Sequence, residues 1–216
     1  MNLRELALLT GAMARLARDS ARIDDLHIIA EIISRRRYAA LLDAALREDS
    51  PLLRERPEID HESVDFEALR ALPADSLGGA YVRHLERHGL ELYLDPTSTR
   101  VIRDPDVGYL IHRYRQVHDI WHVLLDLGVA GHEEVLLHAF VLGQLGLPNS
   151  ALIVSLGGIK HLVLEGRWDA LRRGLISAYR MGKRASPLLL VRWEDHWAEP
   201  LDAVRARYGV APLITA

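Results

Sequence analysis

Cysteine is absent from these 216 residues. That excludes a disulfide scaffold, zinc ribbons, thiolate-held clusters and a cysteine nucleophile, and leaves only nitrogen and oxygen to hold any metal. It also fits a reducing compartment. Lysine is nearly absent, with Lys160 and Lys183 the two among 27 basic residues. No stretch approaches the ~18 consecutive apolar residues that a membrane-crossing helix needs. The longest, 151–159, is broken by Gly157 and Gly158 and closed by Lys160. Near the start, Arg4, Glu5, Arg15 and Arg18 interrupt the apolar positions, so no secretory signal is expected. The formal net charge of −3 gives no electrostatic footing for nucleic acid.

What is present suits one domain over 1–216, soluble or peripheral to a membrane, without repeat, low-complexity tract or linker. Hydrophobic residues make up 49%, enough for a packed core and far from a disordered composition. Charge is unevenly spread: 51–159 hold nine basic against sixteen acidic side chains, and 160–216 hold ten against six. The basic tail suits anionic lipid or a partner, or simply a solvated helix face.

Helical periodicity dominates. Asn2 with Glu5 reads as a capping box ahead of Leu6, Leu9, Met13 and Leu16 on one face. Asp24 and Asp25 open a second helix, stopped by Pro51, and Ser76 caps a third that ends at Gly89. A long helix is expected over 106–127, followed by others to about 146, from Asn149 or Ser150 to about 164, and over 167–184. Ser186-Pro187 reads as the start of a short helix ending near Trp197, and Pro200 starts a last one that Gly209 terminates. The expected fold is all-α, a single compact multi-helix domain with at most a short extended or hairpin segment near 90–103.

Eleven His in such a chain make one pair four residues apart an ordinary coincidence, and there are two. His84 and His88 lie near a helix end among charged neighbours, where a solvated C-terminal turn favours imidazolium. His118 and His122 instead sit in an otherwise apolar helix. Residues four apart share a helix face, so both imidazoles can meet one ion, and Asp119, about 100° round, can reach it from the flank. A further ligand must come from elsewhere. The turn at Gly128–Gly131 returns the chain into a helix bearing Glu133 and Glu134, of which Glu134 begins the inward pattern Glu134, Leu137, His138, Val141, Leu145. Two His and two carboxylates suit zinc, ferrous iron or manganese. The alternative is a metal-free pair of buried His satisfied by Asp119 and Glu134. His138, one turn beyond Glu134, reads as a core His or one supporting a ligand, with a further metal ligand as the alternative.

The string His118-Asp119-x-x-His122, eleven residues and then Glu134 resembles the hallmark of the ubiquinone (coenzyme Q) biosynthesis protein four family. The likeness extends over about 70–210. It includes Leu77-Gly78-Gly79-Ala80-Tyr81, Arg113-Tyr114-Arg115-Gln116, Gln144-Leu145-Gly146-Leu147-Pro148, Gly182-Lys183 with Pro187-Leu188, Trp193-Glu194-Asp195-x-Trp197, and Pro200-Leu201 leading to Val204-Arg205. Many relatives carry Gly where Glu133 stands; the spacing selects Glu134 as the motif carboxylate. The extended N-terminus of organelle-targeted members is missing, which implies a bacterial cytoplasmic form.

The resemblance implies a mostly helical protein, peripheral to the inner membrane, holding one divalent metal ion (zinc, or iron or manganese) on His118, Asp119, His122 and Glu134. It implies a polyprenylated aromatic precursor as ligand, other ubiquinone-biosynthesis proteins as partners, no nucleic acid, and room for a homodimer. The family is credited with replacing the ring C1 carboxyl by hydroxyl, an oxidative decarboxylation, and with organising the biosynthetic complex. Asp119 or Glu134 would double as proton acceptor. Arg115, nearly on the His118 face, would pair with the substrate carboxylate or bridge to Asp119. Leu152, Ile153, Leu156 and Ile159 suit a prenyl tail or plain core, and Arg15, Arg18 and Arg22 beside Leu6, Leu9, Met13 and Leu16 suit a membrane interface. Two rivals stand beside this reading: an HD-type metal phosphohydrolase, and a non-catalytic lipid-binding scaffold with a structural metal.

Overall fold

A computed structural model describes residues 2–19, 22–90, 101–165 and 168–213. Among them run ten α-helices and no strand: α1 (Leu3–Arg18), α2 (Ile23–Arg47), α3 (Pro51–Glu55), α4 (Phe66–Ala71), α5 (Leu77–His88), α6 (Pro105–Leu125), α7 (Gly131–Leu145), α8 (Pro148–Glu165), α9 (Trp168–Arg184) and α10 (Leu201–Tyr208). The segment expected to be a hairpin falls largely on 91–100, outside the described residues.

Local sequence signals explain most boundaries. Asn2 and Glu5 close the capping box of α1 reciprocally, at 2.9 and 3.0 Å. Ser76 Oγ accepts from Gly79 N at 3.1 Å to start α5, and Gly89 ends it in the left-handed region. Asp104 caps α6, with Pro105 in its first turn. Pro148 opens α8, so Asn149 and Ser150 stand inside the first turn rather than at the cap. They are used as ties instead. Ser34 Oγ of α2 donates to Asn149 Oδ1 at 2.8 Å, and Ser150 Oγ hydrogen-bonds His138 Nδ1 of α7 at 3.1 Å.

The helix expected from Ser186-Pro187 does not form over that length. Leu188 and Leu189 are buried, and Gln144 Oε1 accepts from Leu188 N at 2.9 Å, so tertiary contacts hold this stretch open. Only Trp193–His196 coils, as a 3₁₀ turn. The short helices α3 and α4 are additional to the sequence expectation.

The centre of the molecule is α6. It packs against α2, α5 and α7, and Leu110, Val117, Ile120, Trp121, Leu124 and Leu125 are fully buried along it. Its first half is pinned by Arg113, a fully buried cation. Arg113 donates to Glu194 at 2.6 and 2.8 Å, to Val191 O at 3.0 Å and to Pro57 O at 3.3 Å. Its far end is pinned by Arg205 of α10, which donates to Leu124 O and Val123 O at 2.9 and 3.0 Å. Carbonyls in the last turn lack the usual intrahelical partners, Val123 O being met only by the capping Asp126 N at 3.3 Å, and a cation there is favoured by the helix dipole.

Helices α7 and α9 run together in the same direction at unusually close range. A Cβ placed on Gly182 would lie 2.2 Å from Phe140 O, and one on Gly143 would lie 2.2 Å from Tyr179 O. Both obstacles are backbone, so the helices would have to separate. Gly182→Ala should therefore lower stability by about 1–3 kcal/mol, the usual cost of overpacking. A denaturant midpoint equal to that of the parent chain would refute this account of the crossing.

Candidate metal centre

The site is assembled by two helices, α6 and α7, packed against each other. From α6 come His118 and His122, one turn apart. From α7 comes Glu134, in the first turn after the Gly128–Gly131 reversal. Ligand atoms of these three residues all lie within 4.8 Å of one another. His122 Nε2 is 3.2 Å from Glu134 Oε1, and His118 Nε2 is 3.8 Å from Glu134 Oε2. Glu133, the competing acid, is occupied elsewhere. It accepts from Gly128 N at 2.8 Å and Ala130 N at 3.1 Å, capping α7.

Asp119 stands outside the three-residue cluster and meets His118 from behind, with Oδ1 3.4 Å from Nδ1. A carboxylate on the remote nitrogen orients an imidazole and raises its basicity as a ligand. Arg115 is engaged with Glu31 of α2 at 2.9 Å, both side chains being buried. His138 supports α7 through Ser150 and lies 6.0 Å, ring to ring, from His118.

Charge balance follows from this geometry. Burial acts to raise the Glu134 carboxyl, but His122 and His118 outweigh it and hold it at about 2. Burial also acts to raise Asp119, and His118, His122 and His84 bring it below the usual carboxylate range. His118 shows the converse: burial would lower it, whereas Asp119 and Glu134 raise it. Burial drives His138 down to about 3, with help from the charge of His118.

His122 decides whether a cation fits. Its side chain is fully buried, yet neither ring nitrogen has a hydrogen-bond partner, because Glu134 at 3.2 Å lies out of line. Buried polar groups are nearly always satisfied, and an orphan costs about 1–3 kcal/mol. A cation placed among Nε2 of His118, Nε2 of His122 and the Glu134 carboxylate would satisfy the Nε2 of His122, and this donor set suits a divalent transition metal.

His84 is the residue that sequence reasoning missed. Instead of lying in a solvated turn it is buried, stacked on His122 with ring centroids 5.5 Å apart and an interplanar angle of 24°. Burial, then the neighbouring charge of His122, lowers it to about 4. The available signal was position: His84 shares the inward face of α5 with Leu77, Tyr81 and Leu85.

A family model described as "Coenzyme Q (ubiquinone) biosynthesis protein Coq4" matches residues 1–213. The chain belongs to the Coq4 family. Among curated Coq4 relatives, the mitochondrial ubiquinone biosynthesis protein COQ4 homolog of Bos taurus is 30% identical over 213 residues, covering 96% of this chain and 78% of that protein. The corresponding Drosophila ananassae homolog is 32% identical over 200 residues, covering 90% and 73%. The Coq4 chain also shares its fold with a crystallised candidate ubiquinone biosynthesis protein from Nostoc punctiforme PCC 73102. That pair has a TM-score of 0.73 at 24% identity, covering 95% of this chain and 96% of the other.

Proposed function

We propose that this Coq4 protein binds one divalent metal ion and carries out the oxidative decarboxylation of a polyprenylated 4-hydroxybenzoate-type acid, replacing the C1 carboxyl by hydroxyl. The observation that carries the reading is the unpartnered, fully buried His122 beside His118 and Glu134, in a chain of the ubiquinone biosynthesis family.

His118, His122 and Glu134 would hold the ion, with Asp119 completing the set or fixing the His118 ring. When bound, the ion supplies Lewis-acid stabilisation of charge developing on the ring and its oxygens. The protein's own part is positional. Asp119 holds His118 in one tautomer, burial of His84 and His138 keeps both imidazoles neutral at neutral pH, and a carboxylate at Asp119 or Glu134 is ionised and able to accept a proton. Water supplies the hydroxyl oxygen, dioxygen takes up the two electrons and leaves as hydrogen peroxide, and the carboxyl leaves as carbon dioxide.

Among the described residues no helix is long and apolar enough to cross a membrane. Leu152 and Leu156 of α8, with Ile176 and Tyr179 of α9, are exposed and support contact with a prenyl tail or the inner-membrane surface. The same reading includes partners from the pathway and admits a homodimer. The family match gives no footing to the HD-type phosphohydrolase.

Protein purified without chelator should carry close to one metal per chain and release carbon dioxide from a short-chain prenylated 4-hydroxybenzoate under oxygen. Asp119→Asn should lose metal and turnover together. Turnover by a metal-free Asp119→Asn protein would sink the mechanism. Lipid retained without any turnover by the loaded parent chain would establish the scaffold reading.

A further inference from the structure

A cavity of about 450 Å³ borders the cluster at His122, within the range of small-molecule sites (about 300–1,000 Å³). Its walls are α5, the end of α6 with the following turn, and α10. Three of its lining residues are arginines, and their commitments differ. Arg205 is spent on the α6 carbonyls and on Asp202 at 3.0 Å. Arg83 gives one N–H to Pro73 O at 3.1 Å. Arg87 is exposed and makes no ion pair or hydrogen bond among the described residues. Two acids line the same space: Glu133, already satisfied by the backbone of the α6–α7 turn, and Asp126 at the end of α6.

Deeper in the wall sits His84, whose Nε2 is buried with no partner, stacked against His122. His88 completes this face, its ring 4.8 Å from that of His84. The space therefore combines an uncommitted guanidinium, a second one only partly used and a buried imidazole nitrogen awaiting a partner, next to the metal cluster. Arg115, the residue the sequence suggested for a substrate carboxylate, is already engaged with Glu31 in a buried pair.

We propose that this cavity is an anion subsite that takes the carboxylate of an aromatic acid, with Arg87 as its principal charge and His84 as the neighbouring polar contact. A guanidinium binds a planar carboxylate in a forked, charge-assisted geometry that an ammonium does not reproduce. The proposal rests on the reading of the substrate given above and deepens it.

The test is isothermal titration of the full chain, metal-loaded, with 4-hydroxybenzoate in one arm and inorganic phosphate in the other. The parent chain should bind 4-hydroxybenzoate more tightly than phosphate. Arg87→Gln should weaken the acid at least tenfold with unchanged metal content and melting temperature, and Arg87→Lys should recover only part of that loss. Arg36→Gln, at an exposed site on α2, should leave binding unchanged. With the prenylated acid, Arg87→Gln should raise KM about tenfold and leave kcat within a few-fold.

Equal affinity in Arg87→Gln and the parent, or no binding by the parent, overturns the subsite. Tighter binding of phosphate overturns its assignment to a carboxylate. If the parent binds the acid but releases no carbon dioxide, the decarboxylase reading fails and the subsite stands. If turnover is normal and KM is unmoved in Arg87→Gln, the subsite fails and the decarboxylase reading stands.

Discussion

Glu194→Ala should lower the unfolding free energy by about 3–5 kcal/mol, the usual cost of stranding a buried charge. Glu194 is the anion that meets Arg113, whose side chain is wholly inside the protein, and the pairing is forked at 2.6 and 2.8 Å. Without it, Arg113 retains only the carbonyls of Val191 and Pro57. The double variant Arg113→Met with Glu194→Met should recover most of the loss, because it removes the charge along with its partner. Urea denaturation of the parent, the single and the double variant measures both effects. A single variant within 1 kcal/mol of the parent would show that the pair is not what anchors 191–194 to α6.

His122→Leu should abolish metal uptake and, with it, turnover by at least a hundredfold, while making the metal-free protein more stable by about 1–3 kcal/mol. The two effects have one origin. In the metal-free fold the ring is fully buried, with Nδ1 unpartnered and Nε2 facing Glu134 at 3.2 Å out of hydrogen-bond line, and an apolar side chain of similar volume removes that penalty. Loss of stability at a site kept for function is a general pattern. Metal analysis by mass spectrometry, with thermal melts of chelator-treated protein, reads both arms. A metal-free His122→Leu protein less stable than the parent would mean that the ring is satisfied in the core, as in the metal-free reading of the His pair.

How far the sequence foretold this structure depended on the range of the interaction. The caps at Asn2, Ser76 and Gly209 were legible because each is decided within four residues. So was the His118–His122 face, which helix geometry alone defines, and the choice of Glu134 over Glu133 emerged from the inward pattern that it begins. His84 was misread because its own segment is ordinary; what buries it is α5 settling on α6. The Ser186-Pro187 start was outweighed by burial of Leu188 and Leu189 and by one hydrogen bond from Gln144, 44 residues away. The close crossing of α7 on α9 had a legible trace, since Gly174, Ala178 and Gly182 recur every fourth residue on α9, but the facing Gly143 acquires meaning only once the two helices are paired.

The grip of Arg205 on the end of α6 also governs when the centre can mature. Its partners, Leu124 and Val123, lie 81 and 82 residues earlier and immediately follow His122. A ribosome delivers His118, His122 and Glu134 long before it delivers α10, so during synthesis the imidazoles sit on a helix whose end is still open. Glu194, which secures the other half of that helix, is late as well. On the proposed reading of the site, metal loading would belong to the finished chain, and a nascent chain stalled before α10 would offer a transient, loosely formed chelator in place of a site.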